Sequence, residues 1–298
     1  MARLEEACEI DLHDGEPLSR DALAERVRGK QALVTMFTDP VDETVLEAGS
    51  DLKVVATVAV GFNNIDVAAA RARGVVVTNT PDVLTEATAD LTWSIILGLT
   101  RRIVEGDRLV RKGGWKGFAF DFMLGSDLRG KQLGIVGLGR IGRAVANRAR
   151  AFGMRVAYTR GAPAPGEAGE AMPLDRLLST SDVVSLHCPL SPDTRHLIDQ
   201  PALARMKRSA YLVNASRGPI VDEAALVEAL TARWIAGAGL DVFDVEPPRP
   251  DSPFRTLPNV LATPHLGYVT EANYRVYYGE AAEDVAAFLD GAPIRVVN

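Results

Sequence analysis

Arg217, Asp241 and His265 each follow a short apolar run, the runs being 211–215, 236–240 and 260–263. The first lies in Asn214-Ala215-Ser216-Arg217-Gly218 and the last in Thr263-Pro264-His265-Leu266-Gly267. Glu246 comes shortly after Asp241, in Asp241-Val242-Phe243-Asp244-Val245-Glu246-Pro247. If these runs are parallel strands of one open sheet, their carboxyl ends present a guanidinium, a carboxylate and an imidazole to one crevice. A guanidinium grips a carboxylate as a fork. A protonated imidazole gives a proton to a carbonyl oxygen that turns negative, and a neighbouring carboxylate orients the ring and favours the imidazolium. Together the groups suit hydride transfer to a 2-oxo acid. Arg217 would bind the substrate carboxylate and steady the developing oxyanion. His265 would be the acid and base, and Glu246 would orient it.

Each residue taken singly reads more simply. A lone loop histidine is more often a hydrogen-bonding residue than an acid, and Glu246 beside two prolines fits a solvated turn. The set carries the signal. His13 and His196 lie in polar stretches with no convergent partner and receive no role. His187 and Cys188 end another apolar run and line the prospective cofactor groove. Cys188 has no base to activate it, so packing is its expected role. No spacing of His, Cys, Asp and Glu suggests a metal cage.

A cofactor site is written in residues 133–142, LGIVGLGRIG, an apolar strand leading through Gly137, Gly139 and Gly142 into an Ala/Arg-rich helix. The first glycine allows the tight turn, the second lets backbone approach a pyrophosphate, and the third lets helix and strand pack closely. The helix N-terminus, at Arg140 and Ile141, offers N–H groups to the phosphates. GxGxxG alone is weak evidence, but here strand and helix flank it in the required order. An acidic residue at the end of the second strand would hold the adenine ribose, about 20 residues beyond the glycines. That place holds Thr159 and Arg160. A carboxylate there would repel a 2′-phosphate, whereas a guanidinium grips one, so NADP(H) is preferred and NAD(H) is left open as the alternative. Glu167 and Glu170 follow a Pro/Gly/Ala loop over 161–169 and come too late to replace the missing acid.

The elements that position these residues alternate along the chain. Strand-like runs fall at 33–37, 53–60, 75–79, 133–137, 155–159, 183–187, 211–215, 236–241 and 260–264, without polar alternation, as in parallel strands buried on both faces. Helical patterns lie between them, among them 18–27, 65–73, 141–152 and 222–233. The alternation predicts a doubly wound α/β architecture. A long helix is predicted over 82–112, apolar on one side through Leu91, Ile95, Ile96 and Leu99. The irregular stretch 113–130 carries Trp115, Phe118, Phe120 and Phe122, which need either a second subunit or the chain's own core to cover them. A last helix over 270–289 would rejoin the first three strands, making the smaller domain discontinuous. The predicted division is 1–79 with 272–298 as substrate domain and 80–271 as a six-stranded dinucleotide-binding domain.

The 298 residues allow two domains at roughly 150 residues each. Hydrophobic residues make up 47% and charged residues 24%, an ordinary globular balance. A net charge of −6 argues against nucleic acid or an acidic membrane as partner. With only Cys8 and Cys188 no disulfide framework is available, and a cytoplasmic location is expected. Residues 1–16 are acidic, without a signal-peptide core, and no apolar run has the length of a membrane span. No apolar strand precedes the first helical pattern.

Further motifs give these parts a family likeness. They are Val58-Ala59-Val60-Gly61-Phe62-Asn63-Asn64-Ile65-Asp66, Thr78-Asn79-Thr80-Pro81 and Glu86-Ala87-Thr88-Ala89-Asp90. With LGIVGLGRIG and the segments 214–218, 239–247 and 263–267, they run in this order over nearly the whole chain. The chain resembles the D-isomer-specific 2-hydroxyacid dehydrogenases, and within them the glyoxylate/hydroxypyruvate reductase branch. The resemblance implies a Rossmann domain plus a smaller flavodoxin-like α/β substrate domain. It implies Arg217, Glu246 and His265 as the catalytic trio, Asp241 at the nicotinamide carboxamide, and the backbone of Val60 and Gly61 at the substrate carboxylate. It adds Thr88, Cys188, Pro189, Ala215, Ser216, His265 and Gly267 to the cofactor's surroundings. It also implies a homodimer built on the long helix and the following loop, which would cover the aromatics. Three departures stand out: Arg160 in place of an acid, a first strand missing or truncated, and a loop at 115–123 that matches the branch only loosely. Two rival functions share the fold: a dehydrogenase of phosphite type, and a dinucleotide-sensing corepressor-like binding protein. Related formate enzymes pair the histidine with glutamine, which Glu246 argues against.

Overall fold

Continuous apolar runs need cover on both faces, and the chain provides it in two units. The structure, a computed structural model, describes Leu4 and residues 8–161 and 169–298. The units are Met1–Leu84 with Thr270–Asn298, and Thr85–Val269. These borders differ by a few residues from the predicted ones because they coincide with helix starts. Thr85 opens a helix of the second unit, and Thr270 caps a helix of the first.

In the first unit α1 (Arg20–Arg26), β1 (Ala32–Thr35), α2 (Glu43–Ala48), β2 (Val54–Thr57), α3 (Val67–Ala72) and β3 (Val76–Thr78) follow one another. The helices begin where Ser19, Asp42 and Asp66 accept the N–H groups of Ala22, Val45 and Ala69, satisfying donors that a helix start leaves unpaired. The strands form a parallel sheet in the order β1-β2-β3, with Leu33 opposite Val55 and Val55 opposite Val77.

The second unit opens with α4 (Thr85–Thr100) and α5 (Ile103–Arg111). The expected single helix over 82–112 is therefore two. Arg102, with φ 53°, takes the left-handed conformation, which a right-handed helix cannot carry through. On α4, Ile95, Ile96 and Leu99 are buried as expected. Then come β4 (Gln132–Val136), α6 (Arg140–Ala151), β5 (Arg155–Thr159), β6 (Glu170–Ala171), α7 (Leu174–Thr180), β7 (Val183–Leu186), α8 (Gln200–Arg205), β8 (Tyr211–Asn214), α9 (Glu223–Thr231), β9 (Gly237–Leu240) and β10 (Val260–Ala262). Their strands make one parallel sheet, ordered β10-β9-β8-β7-β4-β5-β6. It has seven strands where six were expected. The extra one, β6, is two exposed residues on the edge and has no apolar run to announce it. Glu167 and most of the 161–169 loop lie outside the described residues.

The succession β4, β5, β6 runs one way from β4, and β7 to β10 run the other. This places the topological switch between β4 and β7, where ligands of such sheets bind. Leu133, Ile135, Leu186 and Leu212 are fully buried around it, each contributing about 1.5–3 kcal/mol, which holds the strand ends in place. The chain then returns to the first unit through α10 (Glu271–Leu289), and Val296 bridges Thr78.

Within the single chain the aromatic loop is left uncovered. Phe118 is 93% exposed, Trp115 half-exposed and packed edge-on against Phe118, and Phe120 wholly exposed. Among the described residues no helix is long and apolar enough to cross a membrane.

Candidate active site

The glycine turn after β4 is shaped by close approach. Gly137 has φ 101°, and a Cβ there would stand 2.5 Å from Cys188 N and 2.7 Å from the His187 carbonyl carbon, where β7 ends. Only glycine fits. A Cβ on Gly142 would collide with the Gly137 carbonyl, so the third glycine sets how closely α6 approaches the turn. The turn is tied sideways by Gly137 N–H to the Thr159 carbonyl (2.9 Å) and Leu138 N–H to the Arg160 carbonyl (2.8 Å). Gly139 caps α6 without a side chain, and nothing lies within 4 Å of where its Cβ would be. An open space over the N-terminus of a 12-residue helix fits a pyrophosphate. The residues present therefore fit the dinucleotide.

Thr159 ends β5 and Arg160 follows it, exposed and with φ 58°. The Arg160 Nη2 donates to the Asp193 carbonyl at 3.3 Å. Across the switch point Cys188 is buried, and burial pushes its thiol pKa up, so it packs as a thiol. The Cys188 carbonyl accepts the Ser216 hydroxyl (2.6 Å), joining the loops after β7 and β8. Ala215 and Ser216 are half-buried and Pro189 is exposed. Burial lowers the pKa of His187 to about 4, and its Nε2 lies 2.8 Å from Ser185 Oγ.

Arg217 leaves β8 by a turn that Asn214 holds from both sides. The Asn214 side chain donates to the Arg217 carbonyl (2.9 Å) and accepts the Ser216 N–H (3.1 Å). Burial pushes the Arg217 pKa down while the nearby Glu246 charge pulls it up, and from its usual value the guanidinium stays cationic at neutral pH. The motif by itself assigns Asn214 no role, although an asparagine at a strand end is a known turn former.

Asp241, almost fully buried, holds the loop that bears His265. Its Oδ1 accepts the Thr263 hydroxyl (2.6 Å) and the Leu266 N–H (2.8 Å), and its Oδ2 accepts the Gly267 N–H (2.9 Å). Burial raises its pKa, and those hydrogen bonds oppose the rise. The Gly267 carbonyl accepts the Thr88 hydroxyl at 2.9 Å. His265 itself has φ 54°, a strained conformation for a residue with a side chain. Its N–H donates to the Asp241 and Thr263 carbonyls, so the surroundings impose the conformation.

His265 Nδ1 lies 2.6 Å from Glu246 Oε2, and Glu246 Oε1 accepts the Phe243 N–H at 2.9 Å. Opposite an acceptor-only carboxylate, Nδ1 carries the hydrogen, which leaves Nε2 to face a substrate. Burial pushes the Glu246 pKa up. The His265 and Phe243 hydrogen bonds, with the His265 and Arg217 charges, outweigh it and hold the carboxyl below its usual range. The second unit thus brings Arg217, Asp241, Glu246 and His265 together at the ends of β8, β9 and β10. Val60 and Gly61 lie beyond β2 in the first unit. Among the described residues no group of His, Cys, Asp and Glu could hold a metal ion.

A parallel sheet with a glycine-rich turn at its switch point, facing a carboxylate-buttressed histidine and an arginine, defines an α/β dinucleotide-dependent oxidoreductase. Residues 93–267 match the family model of the NAD binding domain of D-isomer specific 2-hydroxyacid dehydrogenases. The glyoxylate reductase of Korarchaeum cryptofilum is 48% identical over 305 positions, covering 100% of this chain and 92% of the relative. A Thermus thermophilus protein of solved structure superposes with a TM-score of 0.94 at 45% identity, covering 100% of this chain and 96% of that one. The NADPH-dependent glyoxylate/hydroxypyruvate reductase of Sinorhizobium meliloti, solved with NADP and malonate, gives a TM-score of 0.84 at 34% identity, covering 91% and 85%. The chain belongs to the D-isomer-specific 2-hydroxyacid dehydrogenase family.

Proposed function

We propose that this protein reduces small 2-oxo acids, glyoxylate or hydroxypyruvate first, to D-2-hydroxy acids with NADPH. The observation that carries the reading is the 2.6 Å contact of Glu246 with His265 beside a partly buried arginine. When bound, NADPH supplies the hydride to the carbonyl carbon. Arg217 holds the substrate carboxylate as a fork and stabilises the charge that grows on the carbonyl oxygen. His265 gives that oxygen its Nε2 proton and ends neutral, its Nδ1 hydrogen still held by Glu246. In the reverse direction neutral His265 takes the proton back. Asp241 Oδ2 retains a lone pair beyond its Gly267 contact for the carboxamide of the cofactor.

Initial rates with glyoxylate, hydroxypyruvate and pyruvate, each against NADPH and NADH, test the reading. Rapid NADPH-dependent reduction of the first two is expected. Silence across the panel with cofactor still bound would transfer the protein to a phosphite-type or sensing role.

The cofactor preference rests on Arg160, and the S. meliloti relative with NADP supports it. Guanidinium to carboxylate at this place exchanges attraction for repulsion of a 2′-phosphate. Arg160→Asp is expected to move the NADPH/NADH ratio of kcat/KM toward NADH by about tenfold or more. An unchanged ratio would put the phosphate elsewhere.

A second copy of the chain is proposed to cover α5 and the aromatic loop. Ile103, Val110, Phe118 and Phe120 are all more than half exposed there, and none of α5 is buried. Sedimentation should give a dimer, and the double variant Phe118→Ser, Phe120→Ser a monomer. A monomeric parent protein would refute this.

A further inference from the structure

Glu223 opens α9, well before the catalytic histidine in the chain, yet it reaches the turn that carries Glu246. Its Oε1 accepts the Asp244 N–H at 2.8 Å. One residue earlier, the Phe243 N–H goes to Glu246 Oε1 (2.9 Å), and the other oxygen of Glu246 meets His265 (2.6 Å). Two carboxylates from different elements therefore clamp consecutive peptide N–H groups of one turn. The same peptide is pressed from below. A Cβ on Gly218, next to Arg217, would fall onto the Phe243 carbonyl. The Phe243–Asp244 peptide thus packs against Gly218 of the arginine loop, and Glu223 holds its N–H.

We propose that Glu223 is a positioning residue for the reaction: by taking the Asp244 N–H it fixes the turn from which Glu246 meets His265. The inference rests on the function proposed above. The mechanism uses the acceptor oxygen of Glu223, not its charge. Asp222, which precedes it, is engaged elsewhere, capping α9 through the Ala225 N–H. Burial raises the Glu223 pKa, the Asp244 N–H lowers it and the Asp244 charge raises it again. Asp244 in turn faces His196, Arg195 and Asp222. Without Glu223 the Asp244 N–H loses that acceptor, and of the two carboxylates only Glu246 still holds the turn.

The test compares Glu223→Ala, Glu223→Asp and Glu223→Gln in the full-length protein. Alanine removes the acceptor, aspartate is one methylene too short to reach, and glutamine keeps an amide oxygen at the right length. E223A and E223D are expected to lose roughly tenfold or more in kcat, as slight misplacement of a reacting group does, with NADPH affinity unchanged. E223Q is expected to restore turnover. A carbon-13 NMR titration of the Glu246 carboxyl gives a readout independent of activity. Glu246 should titrate higher in E223A and E223D than in the parent, because its hold on the Phe243 N–H and on His265 loosens. Parental kcat and an unmoved Glu246 titration in E223D and E223A would overturn the proposal. So would an E223Q protein as impaired as E223A. A parent protein inactive with every 2-oxo acid would instead refute the proposed function, while the Glu246 titration would still decide the role of Glu223.

Discussion

His265→Ala is expected to lower kcat for glyoxylate reduction by about 10²–10⁴-fold, the usual contribution of a positioned general acid. The side chain is poised for this and little else. Its Nδ1 is spoken for by Glu246, and its backbone is held in a left-handed conformation by the Asp241 and Thr263 carbonyls. The strained backbone is fixed by neighbours that an alanine leaves in place, so the loop should keep its shape. Gly267 and Leu266 remain tied to Asp241 through their N–H groups. NADPH affinity, which the proposed function assigns largely to the glycine turn after β4, should therefore stay nearly unchanged while turnover collapses. Steady-state rates beside a fluorescence titration of NADPH separate the two quantities. Turnover within a few-fold of the parent would remove His265 from the chemistry.

Arg217→Ala is expected to cost about 2–5 kcal/mol in kcat/KM, roughly 30- to 5,000-fold, as losing one partner of a desolvated charge pair does. Two proposed roles would be lost together, the grip on the substrate carboxylate and the charge opposite the growing oxyanion, so KM should rise and kcat fall. Arg217→Lys separates them. Lysine retains a positive charge but not the planar fork, so it should recover only part of the loss. Glu246 sharpens the effect, since removing the guanidinium removes one of the charges that hold the Glu246 carboxyl in its ionised form. An Arg217→Ala protein with unchanged KM for glyoxylate would show that the carboxylate is bound by other groups.

The alternation of elements was legible because buried parallel strands read as unbroken apolar runs, and nine such runs all became strands within a few residues of their expected ends. The tenth, β6, escaped because two exposed residues leave no such trace. The predicted helix over 82–112 failed at Arg102. Both of its halves have helical periodicity, and nothing in the residue types marks the left-handed turn between them. Gly137 and Gly142 were readable because close approach of backbone leaves a chemical mark, the absence of a side chain.

The sequence by itself determined the local and the chemical: the strand and helix periods, the glycine spacing that makes a phosphate turn, and the residue types available at each strand end. These depend on neighbours a few positions apart. Only the tertiary structure decided which of those types meet. Glu223 touches Asp244 across 21 residues, Asp241 gathers the N–H groups of Leu266 and Gly267 across 25 and 26, and the Thr88 hydroxyl finds the Gly267 carbonyl across 179. No period or spacing records such contacts, because a hydrogen bond selects on distance in space. The exposure of Phe118 and Phe120 was decided at the same level, since burial is a property of the surrounding surface and not of the ring.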